Sequence, residues 1–532
     1  MTPDLVLYNG KLHTQDADAP DASAVAIANH RFLAVGDDRT IRALAGPDTR
    51  MIDLAGRVAL PGLTDAHFHL HSWVLGRQRL SLVDAGSLQD LRRRVTEAAC
   101  DVPLGDWIVG QGWNETRWSD PRMPTCADLD DVAPDHPVIL KRSDLHLAVC
   151  NSRAFQEAGI DSQTKDPPMG RIDRDDSGRP TGILRELAIN LVTDIIPPPP
   201  EEAFTQAMQD DLHDLHRLGL TGVHDHRIMG GADGPPAFRA YQRLQAAGKL
   251  SLRVWMGIAG ERLDEAVALG LRTGFGDEHL RVGHVKLFAD GSQGARTAWM
   301  LEPYEDTGDC GMPLTPLGEI AEAVAKADRA GLAVAVHAIG DRTIQALISV
   351  FEQRAESKKW SVPHRIEHVQ IIRPVDVQRL ARIGIAASVQ PIHVTDDILL
   401  CDQSIGSRSC YAYPFRAMLD AGVTLAFGSD APVADPNPLW GIHAAVTRQG
   451  RDGTPGGGWY PQQRLTVAQA VWGFTMGPAI VSGREATLGS ITVGKLADLV
   501  VLDRDIFAIE PMEIHRAQIV MTVLDGQVVY EQ

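Results

Sequence analysis

Residues 63–70, Leu-Thr-Asp-Ala-His-Phe-His-Leu, place two histidines at the end of a short apolar run. If this run is a β-strand, His67 and His69 are two residues apart and point to the same side, whereas Phe68 points to the other. Two imidazoles that converge can share a metal ion, and nitrogen ligands suit zinc and related divalent ions. The spacing alone fits a surface pair or a core pair about as well.

Four later apolar runs also end in side chains that can bind a metal ion. They are HVKLFAD with Lys286, AVAVHAIGD with His337, HRIEHVQ with His368 and LAFGSDAP with Asp430. Each has a simpler alternative: a lysine that extends to solvent or pairs with Asp290, a satisfied core histidine, or an aspartate that caps a helix. Because all of them recur at strand ends in chain order, the combination favours one shared metal site.

The surrounding sequence alternates apolar runs with helical stretches such as LGEIAEAVAKADRAG and VDVQRLARIG, a pattern typical of βα units around a parallel sheet. Eight runs that end in polar residues are predicted to be strands, the number that a TIM-type (β/α)8 barrel requires. They are VALPGLTDAH, LTGVHDH, LRVWMGI, HVKLFAD, LAVAVHA, HRIEHV, IAASVQP and VTLAFGSD. The metal-site candidates would then lie on strands one, four, five, six and eight.

Three domain segments are predicted. Short alternating runs at both chain ends indicate one small β-sandwich domain, formed by residues 1–57 and 484–532, with the barrel at 58–483. Residues 72–218 are far longer than one helix requires and contain the strand-like runs DWIVGQGW and PVILKRSD. We therefore expect an inserted subdomain that covers the open end of the barrel. Its stretch GRIDRDDSGRPTG predicts a hairpin.

Composition excludes several classes of function. The 532 residues are 44% hydrophobic and 23% charged, and the formal net charge of −18 argues against nucleic acid and anionic membrane surfaces as partners. We see neither a secretory signal nor a membrane-spanning run. The six cysteines are scattered without CxxC spacing, so we expect reduced thiols and a cytoplasmic protein. A homodimer is expected only because two-fold symmetry is common.

With these motifs in place, the sequence resembles the amidohydrolase superfamily, and more closely its amidohydrolase-3 (YtcJ-like) branch, which includes N-substituted formamide deformylase. The resemblance extends over nearly the whole chain, including both ends. The motifs that carry it are LPGLTDAHFH, VKLFADGSQGARTA, VHAIGDRT, HRIEHV, FGSDAPV and GSITVGKLADLVVLD.

The resemblance implies a role for each candidate ligand. His67, His69 and Asp430 would hold one metal ion and His337 and His368 the other, with Lys286, carboxylated on its amine, bridging two Zn²⁺ together with a hydroxide. Asp430 would also act as the catalytic proton shuttle. No organic cofactor is expected. The small-molecule substrate would be an amide that is cleaved at its C–N bond.

Candidate substrate-binding residues come from the insertion and from loops after the strands. The insertion offers Trp113, Arg117 and His146, which suit a flat or acidic substrate group if the segment covers the metal ions. A packing tryptophan and a surface arginine are equally good readings. His224 and His226 end the second strand and are assigned a supporting role. The remaining candidates follow the fourth and seventh strands: Ser292, Arg296, Gln390 and His393.

Three other hypotheses remain open. One is a deaminase of a ring amidine that uses a single metal ion, and another is hydrolysis of an ester or lactone by the same nucleophile. A catalytically silent relative that serves as a binding protein would be expected to have lost ligands. A carbohydrate-acting barrel is disfavoured because the strand ends carry histidines rather than paired carboxylates.

Overall fold

The computed structural model of the chain describes residues 1–355 and 362–532. Its largest sheet contains eight parallel strands that neighbour one another in chain order, from β1 to β8. All eight strands predicted from the sequence are present, and the prediction of a TIM-type barrel is confirmed at this level. The strands β1 to β8 are Leu63–Phe68, Leu220–Asp225, Arg253–Ala259, Leu280–Phe288, Val334–Ala338, Arg365–His368, Ala386–Val389 and Leu425–Phe427.

The barrel closes through the residues that follow β8. Ala431 forms a parallel bridge with Phe68 at the end of β1, and the amide of Asp430 donates a hydrogen bond to the carbonyl of His67 at 2.7 Å. The approach requires a glycine at position 428, because a Cβ atom there would lie 2.5 Å from the backbone nitrogen of His67. The GSD sequence after β8 therefore brings Asp430 beside the end of β1.

Helices cover the outside of the barrel and follow the predicted periodicity. The two helical stretches identified in the sequence form Leu317–Ala330 and Pro374–Ile383, and each ends at a glycine in the left-handed region, Gly331 at φ 77° and Gly384 at φ 68°. Within the described residues, no helix is both long and apolar enough to cross a membrane. The other helices outside the insertion are Asp38–Arg42, Leu70–Arg77, Gly234–Ala246, Leu263–Ala268, Asp341–Ala355, Pro391–Asp396, Ile398–Ile405, Phe415–Asp420, Pro438–Thr447, Val467–Gly473 and Met476–Val481.

Two smaller sheets contain the chain ends and share a hydrophobic cluster that includes Leu7, Val25 and Val501. One has the order Arg31–Gly36, Ala24–Ala28, Leu5–Tyr8, Arg50–Asp53. The other combines strands from both ends, in the order Gln527–Glu531, Ile519–Leu524, Leu499–Leu502, Val58–Pro61, Lys11–His13, Asp21–Ala22. The domain boundaries at residues 57 and 484 stay predictions.

The segment between β1 and β2 forms a six-stranded sheet of its own. Its strand order is Gly170–Arg174, Pro180–Glu186, Leu147–Cys150, Val138–Arg142, Ile108–Trp113, Leu80–Ser81. The first two are antiparallel neighbours, as the hairpin prediction requires. Its helices are Leu88–Asp101, Cys126–Asp130, Ser152–Ala158, Asn190–Thr193 and Glu201–Arg217. Parts of this segment line one cavity together with the ends of the barrel strands, so the insertion and the barrel build the site jointly.

Candidate metal centre and cavity

The six predicted ligands come together at the carboxyl ends of the barrel strands. Each is at least nine-tenths buried, and five of them line one cavity, whereas His67 lies beneath it. One nitrogen or oxygen atom from each of His67, His368 and Asp430 lies within 4.8 Å of the others. The rings of His337 and His368 are 4.5 Å apart. The barrel therefore assembles side chains that are up to 363 positions apart, from His67 to Asp430.

His67 is oriented by a carboxylate below it. Its Nδ1 donates to Glu367 Oε2 at 2.5 Å, so Nε2 faces the cavity without a proton. Burial, and next the charge of Lys286, hold the pKa of His67 well below its ordinary value. A neutral imidazole with a free Nε2 lone pair is the form that binds metal ions.

The other histidines are also positioned, each by an oxygen acceptor. His69 Nδ1 lies 3.0 Å from the carbonyl oxygen of His226, and His368 Nδ1 lies 2.8 Å from Gln390 Oε1. His337 Nε2 lies 3.2 Å from the carbonyl oxygen of Gly291. Burial holds the pKa of both His337 and His368 well below its ordinary value. His337 and His368 are therefore neutral, and the rings of all three histidines are fixed in direction.

Asp430 gives the clearest indication that the site suits a cation. Its Oδ1 is buried and forms no hydrogen bond with any described residue, yet it lies 3.1 Å from His69 Nε2 and 3.4 Å from His67 Nε2. Burial would raise the pKa of this carboxyl, but His69, His393 and Lys286 together outweigh burial and lower it. An ionised oxygen beside two imidazole nitrogens is a donor set that fits a divalent metal ion such as zinc.

Lys286 is 1% exposed, and its Nζ lies 3.4 Å from His67 Nε2 and 4.9 Å from the centre of the Phe288 ring. The alternative of a salt bridge to Asp290 is wrong, because Asp290 instead accepts backbone N–H bonds from Trp299, Ile339 and Gly340. Burial lowers the pKa of Lys286 to about 8. Among the described residues no carboxylate forms an ion pair with its amine.

A second triad of close side chains, His67, His226 and Glu367, does not make a metal site. Arg365 occupies that position, since its guanidinium donates to Glu367 Oε1 at 2.5 Å and to the ring of His226. It also donates to His224 Nδ1 at 2.9 Å. The supporting role predicted for His224 and His226 agrees with this placement. Sequence reasoning missed Arg365 and Glu367, although both lie two residues apart on β6 and so share one side.

Of the predicted substrate-binding residues, the structure places His146 on the cavity wall. Its Nδ1 donates to Glu186 Oε2 at 2.7 Å. Burial would lower the pKa of His146, but Glu186 and Asp144 outweigh burial and raise it to about 9. Gln390 is buried beneath the site and acts on it through His368. Glu186, at the end of the strand Pro180–Glu186, and Asp144, in the turn after Val138–Arg142, also line the cavity and were missed.

The structure does not bring Trp113 and Arg117 to the cavity. A register shift between Gln111 and Trp113, with Gly112 at φ 104°, turns the indole into the hydrophobic core of the insertion, where it is fully buried and donates to the carbonyl of Leu140. Arg117 forms a partly exposed ion pair with Asp396 at 2.6 Å. Both side chains therefore have the packing and surface roles that were the alternatives.

The remaining three candidates lie outside the cavity wall. Ser292 donates to Asp144 Oδ2 at 3.0 Å, which fixes that carboxylate. Arg296 pairs with Asp306 at 2.5 Å and faces the ring of Tyr304. His393 is partly buried, and its Nε2 has no hydrogen-bond partner among the described residues.

A barrel with buried histidines and an aspartate at the carboxyl ends of its strands is the architecture of a metal-dependent hydrolase. The chain belongs to the amidohydrolase family, whose sequence model matches residues 50–530. It is 32% identical to the putative amidohydrolase YtcJ of Bacillus subtilis over 99% of both chains. It is 28% identical to N-substituted formamide deformylase of Arthrobacter pascens, over 99% of this chain and 98% of that one.

The fold has also been seen in a solved structure. An uncharacterized metal-dependent hydrolase from Pyrococcus horikoshii superimposes with a TM-score of 0.76 and 26% sequence identity, over 95% of this chain and 99% of that one.

Proposed function

We propose that this protein hydrolyses an amide-type C–N bond of a small molecule, using two divalent metal ions held by the six converging side chains. The observation that carries the proposal is the buried, unpartnered Oδ1 of Asp430 beside the Nε2 atoms of His67 and His69. An uncompensated carboxylate oxygen at such a place is costly, and a cation would compensate it.

The proposed distribution of ligands follows the strand ends. His67, His69 and Asp430 would hold one ion, and His337 and His368 the other. Lys286, carboxylated on Nζ, would bridge them. The position of Lys286 supports the bridging role. Its fully buried amine lies 3.4 Å from His67 Nε2, and no carboxylate among the described residues forms an ion pair with it. Zinc is the proposed metal because nitrogen and carboxylate ligands suit it.

When bound, the metal ions would lower the pKa of a water molecule and polarise the substrate carbonyl. The protein's own groups do the rest. The carboxylate of Asp430 would take the proton of the attacking water and pass it to the leaving nitrogen. Glu367 keeps Nε2 of His67 free of its proton, and Gln390 fixes the ring of His368. The insertion, through Asp144, His146 and Glu186, closes the wall of the cavity around the substrate.

The test is a product assay on zinc-supplemented protein. N-formyl and N-acetyl amines, lactams and ring amidines are incubated separately, and the release of amine and of ammonia is measured. Release of amine from an amide that stops with a chelator and returns with zinc is the expected result. Ammonia from amidines alone would favour the one-metal deaminase instead, and no turnover of any substrate by metal-loaded protein would overturn the proposal.

A further inference from the structure

Two basic side chains of the insertion line the same cavity as the metal-site residues. They are Arg79, just before the strand Leu80–Ser81, and Lys141, on the strand Val138–Arg142. Both are half-buried. Neither was identified from the sequence, and neither has a part in the hydrolytic chemistry proposed above.

The sheet of the insertion explains why the two cations face one space. Lys141 is the direct parallel partner of Gln111, and Gln111 is the direct parallel partner of Ser81. Partners in register project to the same face, and so do residues two apart along a strand. Gln111 and Lys141 therefore lie on one face, Arg79 lies in the bend just before Leu80–Ser81, and all three line the cavity.

Within the described part of the chain, neither Arg79 nor Lys141 has a counter-ion. No carboxylate lies within ion-pair distance of either, and neither side chain forms a hydrogen bond there. Asp194 and Asp233 act on Lys141 only at longer range, and Asp233 lies 3.3 Å from Arg227. Burial, and next the charge of Arg79, lower the pKa of Lys141 to about 8. Two like charges are thus held together without compensation.

The acidic groups of the insertion that share the cavity are already engaged. Asp144 pairs with Arg142 at 2.9 Å, and Glu186 pairs with His146 at 2.7 Å. The charge left over on this wall is therefore positive, in a protein whose formal net charge is −18. Partly desolvated cations without partners are costly to the fold, and they gain most from an anionic ligand.

We propose that Arg79 and Lys141 bind an oxyanion of the substrate, a carboxylate or a phosphate, so that the substrate is an anionic amide. The inference rests on the proposed function, because it places the amide of the same molecule at the metal centre. The fork of Arg79 suits two oxygens of one anion, Lys141 adds a point charge, and the amide of Gln111 can donate a further hydrogen bond.

The experiment compares amides that differ only in charge. The pairs are N-acetylphenylalanine with N-acetylphenylalaninamide, and N-acetylethanolamine phosphate with N-acetylethanolamine. Affinity of the zinc-loaded protein for each member is measured by titration calorimetry, and kcat/KM by release of the acetyl group. We expect the wild type to prefer one anionic member at least about tenfold, the scale of one charge-assisted hydrogen bond.

Arg79→Met and Lys141→Met should each reduce that preference to near unity, whereas Lys249→Met, which removes an exposed lysine, should retain it. Equal affinity for charged and neutral members of both pairs, or an anion preference that survives in both variants, would overturn the inference. Because affinity does not require turnover, an anion preference without hydrolysis would sustain the oxyanion site and contradict the proposed function. Hydrolysis of charged and neutral amides without a preference for the anionic member would support the proposed function and contradict the oxyanion site.

Discussion

Glu367 lies directly beneath His67, with its Oε2 2.5 Å from Nδ1 and both side chains fully buried. Because both side chains are fully buried, water cannot replace either partner of this hydrogen bond. The bond therefore fixes which nitrogen of His67 faces the cavity. The same carboxylate also accepts a hydrogen bond from the guanidinium of Arg365. A strand residue that points into the barrel thus controls a ligand on a strand 300 residues earlier in the chain.

Glu367→Gln should weaken zinc binding by about 10- to 100-fold, the usual cost of removing a carboxylate behind a metal-binding histidine. The cause is loss of the charged acceptor that holds the His67 tautomer. Zinc affinity is measured by competition with a chromophoric chelator. Glu97→Gln, which alters an exposed ion pair, is the control. Unchanged zinc affinity in Glu367→Gln would show that this carboxylate does not act on the metal site.

Asp430→Asn should lower kcat by at least about 100-fold while KM changes little, because the amide cannot accept and return the proton of the attacking water. Steady-state kinetics on an amide that the wild type hydrolyses give both constants, with metal content measured in parallel. Asp420→Asn, at an exposed ion pair, controls for loss of a carboxylate. A kcat close to that of the wild type would refute the proton-transfer role.

An ion pair between Arg253, at the start of β3, and Asp498 connects the barrel to the small sheet that contains the strand Leu499–Leu502. Arg253 donates to both oxygens of Asp498, at 2.6 and 2.8 Å, and both residues are buried. Asp498→Asn should lower the free energy of unfolding by about 3 kcal/mol, since it leaves a buried guanidinium less compensated. Urea unfolding gives the value. For the partly exposed pair of Asp503 with Arg504, Asp503→Asn is expected to change the free energy of unfolding by under about 1 kcal/mol. Equal effects of the two substitutions would contradict the role of the Arg253–Asp498 pair.

We expect the buried His443 to contribute to the loss of stability of the fold at acidic pH. It is 1% exposed, and burial, with His515 nearby, lowers its pKa to about 4, below the ordinary value near 6.5. The unfolded chain therefore binds this proton first, and stability falls as pH decreases from about 6.5 to 4. His443→Leu should remove up to about 2 kcal/mol of the loss measured between pH 7 and pH 5. His213→Leu, at an exposed histidine, is the control, and an unchanged pH slope in His443→Leu would count against this assignment.

The barrel and its ligands could be predicted because both signals are local. Each strand is an apolar run followed by a polar residue. Because active sites of such barrels lie at the carboxyl ends of the strands, residues at those ends, such as His337 and Asp430, are expected at the site. At His368 the backbone leaves the extended conformation, with φ 72°. The side chains of Glu367 and His368 therefore need not point to opposite sides, as they would in a regular strand, and His368 reaches the site. That turn is not visible in the letters HRIEH.

The cavity wall could not be predicted in the same way. Whether Trp113 or Gln111 faces the substrate depends on one irregularity at Gly112, which shifts the register of the strand. Lys141 and Arg79 line the same cavity because Ile108–Trp113 pairs on one side with the strand of Lys141 and on the other with Leu80–Ser81, which directly follows Arg79. Such pairing between distant segments leaves no periodic trace in a single sequence.

The six converging side chains are proposed to hold two metal ions. Elemental mass spectrometry on protein purified without chelator, before and after incubation with zinc and bicarbonate, tests it most directly, with Lys286→Ala measured alongside. We expect close to two divalent ions per wild-type chain and fewer in Lys286→Ala. A wild-type chain that binds only one metal ion or none, even after zinc is added, would contradict this proposal.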